Sequence, residues 1–312
     1  MKNILITGAT GFIGRHLAQR LIKDNAYNIF CLVRNLKKAD FLYNWGAKLI
    51  PGDITDKASL RVLGDYEIDT TFHCAAYVND KNLKLLHKVN VLGTENVCDL
   101  SLKLGVRQMV YLSSVAVVSG NTSVPLTENL SYCATNRYGE SKIEAEKMAL
   151  DYRRRGLKMI ILRPPMVYGE DEPHMLRFLL FLLKHRLLPL VGGRNRLHLA
   201  YVENVIAAMI FSLDKEIFYK DSFFVADNES LTVKEIFMIF SKTIGAKPPW
   251  IVPDYLKPLI LHLPYFGKRI SFFLKDRVYN IEKIKAAGFN PPYSAEESLM
   301  RSAKELYYGK KR

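Results

Sequence analysis

The chain has 312 residues, 49% of them hydrophobic, enough to bury a full core and, at roughly 150 residues per domain, to form one large domain or two intimate ones. Its net charge of +14 is uneven, with +4 in residues 1–150 and +10 in residues 151–312. The positives are scattered apart from Arg153-Arg154-Arg155 and the Lys310-Lys311-Arg312 tail, and no recognised nucleic-acid motif accompanies them, which argues against a nucleic-acid partner. A basic half is then a solvated surface, or else faces an anionic membrane or an acidic ligand. The four cysteines, Cys31, Cys74, Cys98 and Cys133, form no Cys-x-x-Cys pair and no metal-site spacing, and they fit a reducing cytoplasm.

The chain opens on an apolar run, Lys2 to Thr7, that reads as a short buried strand. The run is short and leads into a glycine turn rather than a cleavage site, so export is not expected. Gly8-Ala-Thr-Gly11-Phe-Ile-Gly14 follows, and an amphipathic helix is predicted over Phe12 to Lys23. In this context the first glycine allows a tight turn, the second lets backbone amides approach a pyrophosphate, and the third lets the helix pack on the strand. Further strands are predicted at Ile29–Val33, Lys48–Ile50, Thr70–Cys74, Met109–Leu112, Met159–Leu162 and Phe223–Val225, with helices over Leu83–Leu104 and Arg137–Arg154. Alternating strands and helices predict an α/β fold with a doubly wound parallel sheet, a Rossmann fold. Past Pro164-Pro165 the rhythm becomes irregular and proline-rich. The expected division is a dinucleotide-binding domain over 1–165, with sheet and helix returns around 198–227, and a smaller substrate-binding subdomain from 166–197 and 228–312.

Arg34 follows the second strand, where an acidic residue would bind the ribose 2′-hydroxyl of NAD and an arginine accommodates the 2′-phosphate of NADP. The alternative is a solvated basic loop with Lys37 and Lys38. Asp53, after the third strand, is placed to accept from an adenine amino group or to cap the next helix. Tyr138 and Lys142 lie four apart on a predicted helix and share one face. A phenol ordinarily loses its proton near pH 10, and a neighbouring ammonium favours the phenolate, which permits proton exchange with a hydroxyl or carbonyl. Such a pair alone is usually plain helix surface. The Tyr111-Leu-Ser113-Ser114 strand end adds a hydroxyl to polarise the same oxygen, and Ser114 is preferred because Ser113 points to the opposite side of its strand.

Taken in order, Thr7 to Gly14, His73-Cys-Ala-Ala76, Asn90-Val-Leu-Gly-Thr94, Tyr111 to Ser114, Tyr138 to Lys142 and Arg163-Pro-Pro-Met-Val-Tyr-Gly169 resemble the extended short-chain dehydrogenase/reductase family over roughly the first 210 residues. The resemblance implies that Tyr138 is the catalytic acid/base, that Lys142 lowers its pKa and holds the nicotinamide ribose, and that Ser114 orients the reacting oxygen. It further implies cofactor contacts from Gly8, Gly11, Phe12, Ile13, Gly14 and Arg34, from Asp53 and Ile54 at the adenine, and from Ala75 and Ala76 at the ribose. Asn90 would support the backbone near the cofactor, and Pro164 and Val167 would face the nicotinamide. The stretch Arg163 to Glu170, with Tyr201-Val-Glu-Asn-Val205, is most similar to the 3β-hydroxysteroid dehydrogenase and dihydroflavonol reductase branch. Nucleotide-sugar enzymes often carry an asparagine near the position of Met166. The resemblance thus implies an NADP- or NAD-dependent oxidoreductase acting on a hydrophobic alcohol or ketone, in a homodimer. The alternative is an epimerase or dehydratase that recycles its own NAD, kept open by Arg177, Arg194 and Arg196, and a non-catalytic cofactor-sensing protein is the third reading.

Two apolar-basic stretches, His174 to Lys184 and Leu256 to Phe266, are shorter than the about 20 apolar residues a membrane span needs. They are read either as a lid packed on the core or as a peripheral membrane surface with Lys268, Arg269, Lys275 and Arg277 near headgroups. An apolar lid favours a hydrophobic substrate. His198, beside Arg194 and Arg196, is expected to be solvated rather than to bind substrate.

Overall fold

The computed structural model describes residues 1–173, 175–253, 255 and 271–309. The stretch Leu256 to Phe266, with Lys268 and Arg269, and the Lys310–Arg312 tail lie outside the described residues, as does His174. Two compact units emerge: Met1–Asn121, Glu128–Pro164 and Ile206–Phe224 form the first, and Thr122–Thr127, Pro165–Val205 and Val225–Arg312 the second.

The first unit is built on a seven-stranded sheet of β1 (Lys2–Thr7), β2 (Tyr27–Val33), β3 (Lys48–Pro51), β4 (Thr70–His73), β5 (Gln108–Leu112), β6 (Met159–Arg163) and β7 (Ser222–Phe224). Its spatial order is β7-β6-β5-β4-β1-β2-β3 and every pairing is parallel. This is the doubly wound arrangement, in which strand order reverses beside β1 and ligands bind beyond the strands' carboxyl ends. The interior strands are buried on both faces, which explains why β5 and β6 read as continuous apolar runs rather than alternating ones.

Helix α1 (Phe12–Lys23) turns Leu17, Ala18 and Leu21 into the core. After α2 (Asp40–Trp45), the long helix expected over Leu83–Leu104 is present and uninterrupted to Lys103, as α3 (Leu83–Leu86), a π-helical segment (His87–Leu92) and α4 (Gly93–Lys103) in direct succession. Apolar spacing does not report which carbonyl each amide meets, so the π segment is not marked in the sequence; such turns are frequent at functional sites. Helix α5 (Arg137–Arg154) begins at Asn136, whose side chain accepts from the Gly139 amide.

The second unit contains short two-stranded sheets and the helices Leu176–Lys184, Val202–Phe211 (in part), Val233–Thr243 and Ala295–Tyr308. Residues 122–127 join it because Leu126 exchanges backbone hydrogen bonds with Val278 and Asn280. Asp227 belongs to it through the Tyr201 amide and the Asn204 and Tyr168 side chains. The return of the chain to the first unit is therefore Ile206–Phe224, narrower than the 198–227 read from sequence.

Gly8, at φ +74°, would place a Cβ 2.6 Å from the Ala75 amide nitrogen, and Gly14 would place one 2.3 Å from the Gly8 carbonyl oxygen. Both contacts are with backbone, so neither can be relieved by a rotamer change. Gly14→Ala is expected to lower stability by about 1–3 kcal/mol, the usual range for overpacking, measured by urea unfolding, and to weaken dinucleotide binding through displacement of the turn.

Candidate active site

The glycine turn presents the N-terminus of α1. Gly11 caps it without a side-chain bond, and no acidic residue occupies the first turn. Gly11 itself donates to the Gly8 carbonyl at 2.9 Å, which closes the loop under the exposed amides. Phe12 and Ile13 are half-buried at this end. A helix start with unpaired amides, a positive dipole end and glycines where a Cβ would intrude fits the pyrophosphate of a dinucleotide.

Around this turn the strand ends are locked by side chains. His73 is fully buried; its Nδ1 lies 2.6 Å from the Thr7 hydroxyl and its Nε2 2.9 Å from the Thr94 hydroxyl. Burial and the nearby Lys142 charge lower its pKa to about 3, so the ring is neutral and ties β1 to β4 and α4. Asn90, on the π turn, accepts from the Tyr77 amide at 2.7 Å and donates to the Tyr77 carbonyl and the Ser141 hydroxyl. It therefore clamps the loop carrying half-buried Ala75 and exposed Ala76 to α5.

Arg34 is exposed immediately beyond β2. Asp53 Oδ1 accepts from the Thr55 amide at 2.9 Å, so one carboxylate oxygen is committed to a local turn. Ile54 is buried, with its side chain where a Cβ on Gly93 would collide at 2.7 Å. Pro164 closes β6 and its carbonyl accepts from the Val115 amide, whereas Val167 lies in the second unit.

The α5 face brings together the residues with acid–base chemistry. Tyr138 is half-buried, and its amide donates to Asp80 Oδ1 at 2.7 Å. Burial raises the phenol to about 12, and the nearby Ser114 side chain acts in the opposite sense. Ser114 Oγ also accepts from the Ala116 amide at 3.2 Å. Gly139 permits this approach, since a Cβ there would lie 2.9 Å from the Ala116 carbonyl oxygen.

Lys142 is 1% exposed. Its ammonium donates to the Leu112 carbonyl at 2.9 Å and sits 4.3 Å from the Tyr111 ring centroid. Burial lowers its pKa to about 7, opposed by the Glu146 carboxylate. The Lys142 ammonium is thus held by backbone and ring.

Glu146, one turn further along α5, is fully buried and anchors a network that the sequence did not reveal. It pairs with Arg163, which donates through both Nε and Nη2, and it accepts from Tyr132 at 2.9 Å and from Ser113. Arg163 Nη1 also donates to the Glu128 carbonyl at 3.2 Å. Ser113 therefore turns toward Glu146 and its neighbour Ser114 toward Tyr138, the alternation expected along a strand. The Glu146 and Arg163 spacing carried no signal, because a glutamate four after a lysine is ordinary on a helix.

In the second unit, His198 is buried rather than solvated: Nδ1 lies 3.0 Å from the Tyr279 carbonyl oxygen and Nε2 lies 2.6 Å from that of Asp227. Arg196 is bonded to Ser230, and Arg194 is exposed. Among the described residues no group of three His, Cys, Asp or Glu is placed to hold a metal ion.

The sequence model of the NAD dependent epimerase/dehydratase family matches residues 4–223. A UDP-glucose 4-epimerase of Vibrio cholerae is 26% identical over 97% of this chain and 94% of its own length. A decarboxylating sterol-4-alpha-carboxylate 3-dehydrogenase of Dictyostelium discoideum is 28% identical over 76% of this chain and 75% of its own. The crystal structure of a UDP-glucuronic acid 4-epimerase from Bacillus cereus in complex with NAD shares the fold, with a TM-score of 0.80 at 21% identity, covering 99% of this chain and all of that one.

Replacing Glu146 by Gln leaves the Arg163 guanidinium buried without a counter-charge. The expected loss is about 3–5 kcal/mol of stability, as for other broken buried pairs, measured by denaturant unfolding; a loss within 0.5 kcal/mol, typical of surface substitutions, would show that the pair is not buried as described.

Proposed function

Because the chain belongs to the NAD dependent epimerase/dehydratase family and is an enzyme of the extended short-chain dehydrogenase/reductase type, we propose that it is a dehydrogenase or reductase acting on a secondary alcohol or ketone of a hydrophobic, sterol-, flavonoid- or lipid-like substrate. The observation that carries this is the convergence at the carboxyl end of β5 of Ser114, whose side chain lowers the Tyr138 phenol pKa, with buried Lys142, which donates to the Leu112 carbonyl. A bound nicotinamide dinucleotide supplies or accepts the hydride. Tyr138 gives up or takes the hydroxyl proton, and Ser114 donates to the oxygen as charge develops on it. The Lys142 ammonium, already desolvated and within the same helix face, holds the ribose and stabilises the phenolate once that group is engaged.

Gly8, Gly11, Phe12, Ile13 and Gly14 hold the pyrophosphate, Arg34 the adenosine 2′-phosphate, Asp53 and Ile54 the adenine, and Ala75, Ala76 and Asn90 the ribose region. Pro164 and Val167 are assigned to the nicotinamide, and substrate binding to the second unit. Arg34 with no acidic residue beside it supports NADP over NAD. A hydrophobic substrate is supported by the sterol dehydrogenase relative, by Met166 and by the apolar, acid-free run from Leu176 to Leu190. We further assign the enzyme to the cytoplasm as a homodimer, with membrane contact confined to its surface. No described helix is long and apolar enough to cross a membrane.

A nucleotide-sugar epimerase is the second reading, favoured by the Vibrio cholerae relative over nearly the full chain. Tyr138→Phe is expected to lower turnover by about 10²–10⁴-fold, the range for a positioned acid–base group, with NADPH affinity within twofold of the parent. Retained turnover, followed as NADPH absorbance with hydrophobic ketones, overturns the assignment. Arg34→Ala is expected to weaken NADPH and leave NADH unchanged in the same titration; equal loss of both would remove the 2′-phosphate contact.

A further inference from the structure

Helix Leu176–Lys184 buries Leu176, Leu180 and Leu183 and leaves its opposite face exposed. That exposed face carries two aromatics, Phe178 at 53% and Phe181 at 51% exposure, beside Arg177, Lys184 and His185. Arg186 then adopts φ +58° and ends the helix, and its guanidinium lies 5.2 Å from the ring centroid of Trp250, itself 61% exposed. Strand Trp250–Val252 pairs with Pro189–Val191, with Trp250 opposite Pro189, and exposed Leu187 lies just before that strand. The Lys184 ammonium donates to the Ile244 and Gly245 carbonyls, which fixes the turn leading to exposed Lys247 against this helix.

Both contributing segments are devoid of acid. Residues 173–202 contain no Asp or Glu, and neither do residues 236–253. Scattered exposed hydrophobics are normal on a soluble surface, but three exposed aromatic rings on two acid-free stretches that also carry exposed cations are not. Aromatic rings with a polar or cationic edge favour the headgroup level of a bilayer, and each Lys or Arg near an anionic surface adds to the attraction.

We propose that this face of the second unit docks on an anionic lipid bilayer, with Phe178, Phe181 and Trp250 entering the headgroup layer and Arg177, Arg186 and Lys247 meeting the lipid charge. An anionic bilayer matches both halves of the patch, because its headgroups supply the missing negative charge and its acyl boundary accepts the rings. Docking is independent of the reaction assigned above, since it is read without turnover.

The test uses the full chain with Trp45→Phe, which leaves Trp250 as the sole tryptophan. Phosphatidylcholine vesicles with and without phosphatidylglycerol are titrated in, and co-sedimentation is followed alongside Trp250 emission. The expected result is binding only to the phosphatidylglycerol vesicles, with a blue shift of Trp250 and weakening as salt is raised. Phe178→Gln with Phe181→Gln is expected to reduce partitioning by roughly tenfold or more while NADPH titration stays unchanged, which separates lost docking from lost folding. Absence of binding, equal binding to neutral vesicles, or a blue shift that instead follows protein concentration and marks self-association would each overturn the proposal.

Discussion

Everything at the candidate active site depends on how one face of α5 disposes of two buried charges. Lys142 and Glu146 sit among Ala145, Ala149 and Tyr152 on the face that packs into the core, where an uncompensated ion costs several kcal/mol. The fold answers each charge with a specific partner. Lys142 takes the Leu112 carbonyl and the Tyr111 ring, and Glu146 takes Arg163, Ser113 and Tyr132. All of these partners except Tyr132 lie at the ends of β5 and β6. Satisfying the two charges therefore fixes the same backbone that carries Ser114, and it does so against the helix that carries Tyr138. A third consequence is electrostatic: the burial that demands these partners also brings Lys142 down to about 7 and raises Tyr138 to about 12, so burial favours the uncharged form of each and drives their proton affinities apart.

The glycine turn is positioned by a second, neutral set of contacts. His73 bridges Thr7 and Thr94, and Asn90 clamps the loop after β4 to Ser141 on α5. Asn90 lies within the π segment His87–Leu92, and its carbonyl accepts from the Thr94 hydroxyl, which links the two contacts. The Gly8 contact with Ala75 then brings the dinucleotide turn against the end of β4. The first unit thus gathers the ends of β1, β4, β5 and β6 by side chains whose chemistry is mostly structural, and leaves Tyr138, Ser114 and the α1 amides available.

What the sequence made legible was local. The strand–glycine–helix pattern at residues 2–23, the parallel alternation and the four-residue spacing of Tyr138 and Lys142 are each written within a few turns of chain, and the opposed faces of Ser113 and Ser114 follow from strand geometry alone. What escaped was tertiary. Glu146 and Arg163 are 17 residues apart on different elements, Asp80 reaches the Tyr138 amide across 58 residues, and neither has a spacing that marks it. The long helix from Leu83 was legible, but the π segment inside it was not, because apolar spacing does not report which carbonyl each amide meets. His198 looked solvated between two arginines, yet its partners come from Tyr279 and Asp227, far along the chain. The expected influence of Lys142 on Tyr138 was read from spacing, which fixes the shared face but not the direction of the ammonium.

The division between a hydrophobic alcohol and a nucleotide sugar turns on whether the cofactor leaves after each turnover. An enzyme that returns the hydride to its own product keeps its NAD, whereas a dehydrogenase or reductase must exchange it. The most direct measurement is to denature freshly purified protein, identify and count the released nucleotide by mass spectrometry, and titrate the native protein with NADPH and NADH. The account predicts little retained nucleotide and reversible binding in which NADPH is preferred; one tightly held NAD per chain, with no exchange for added NADPH, would contradict it.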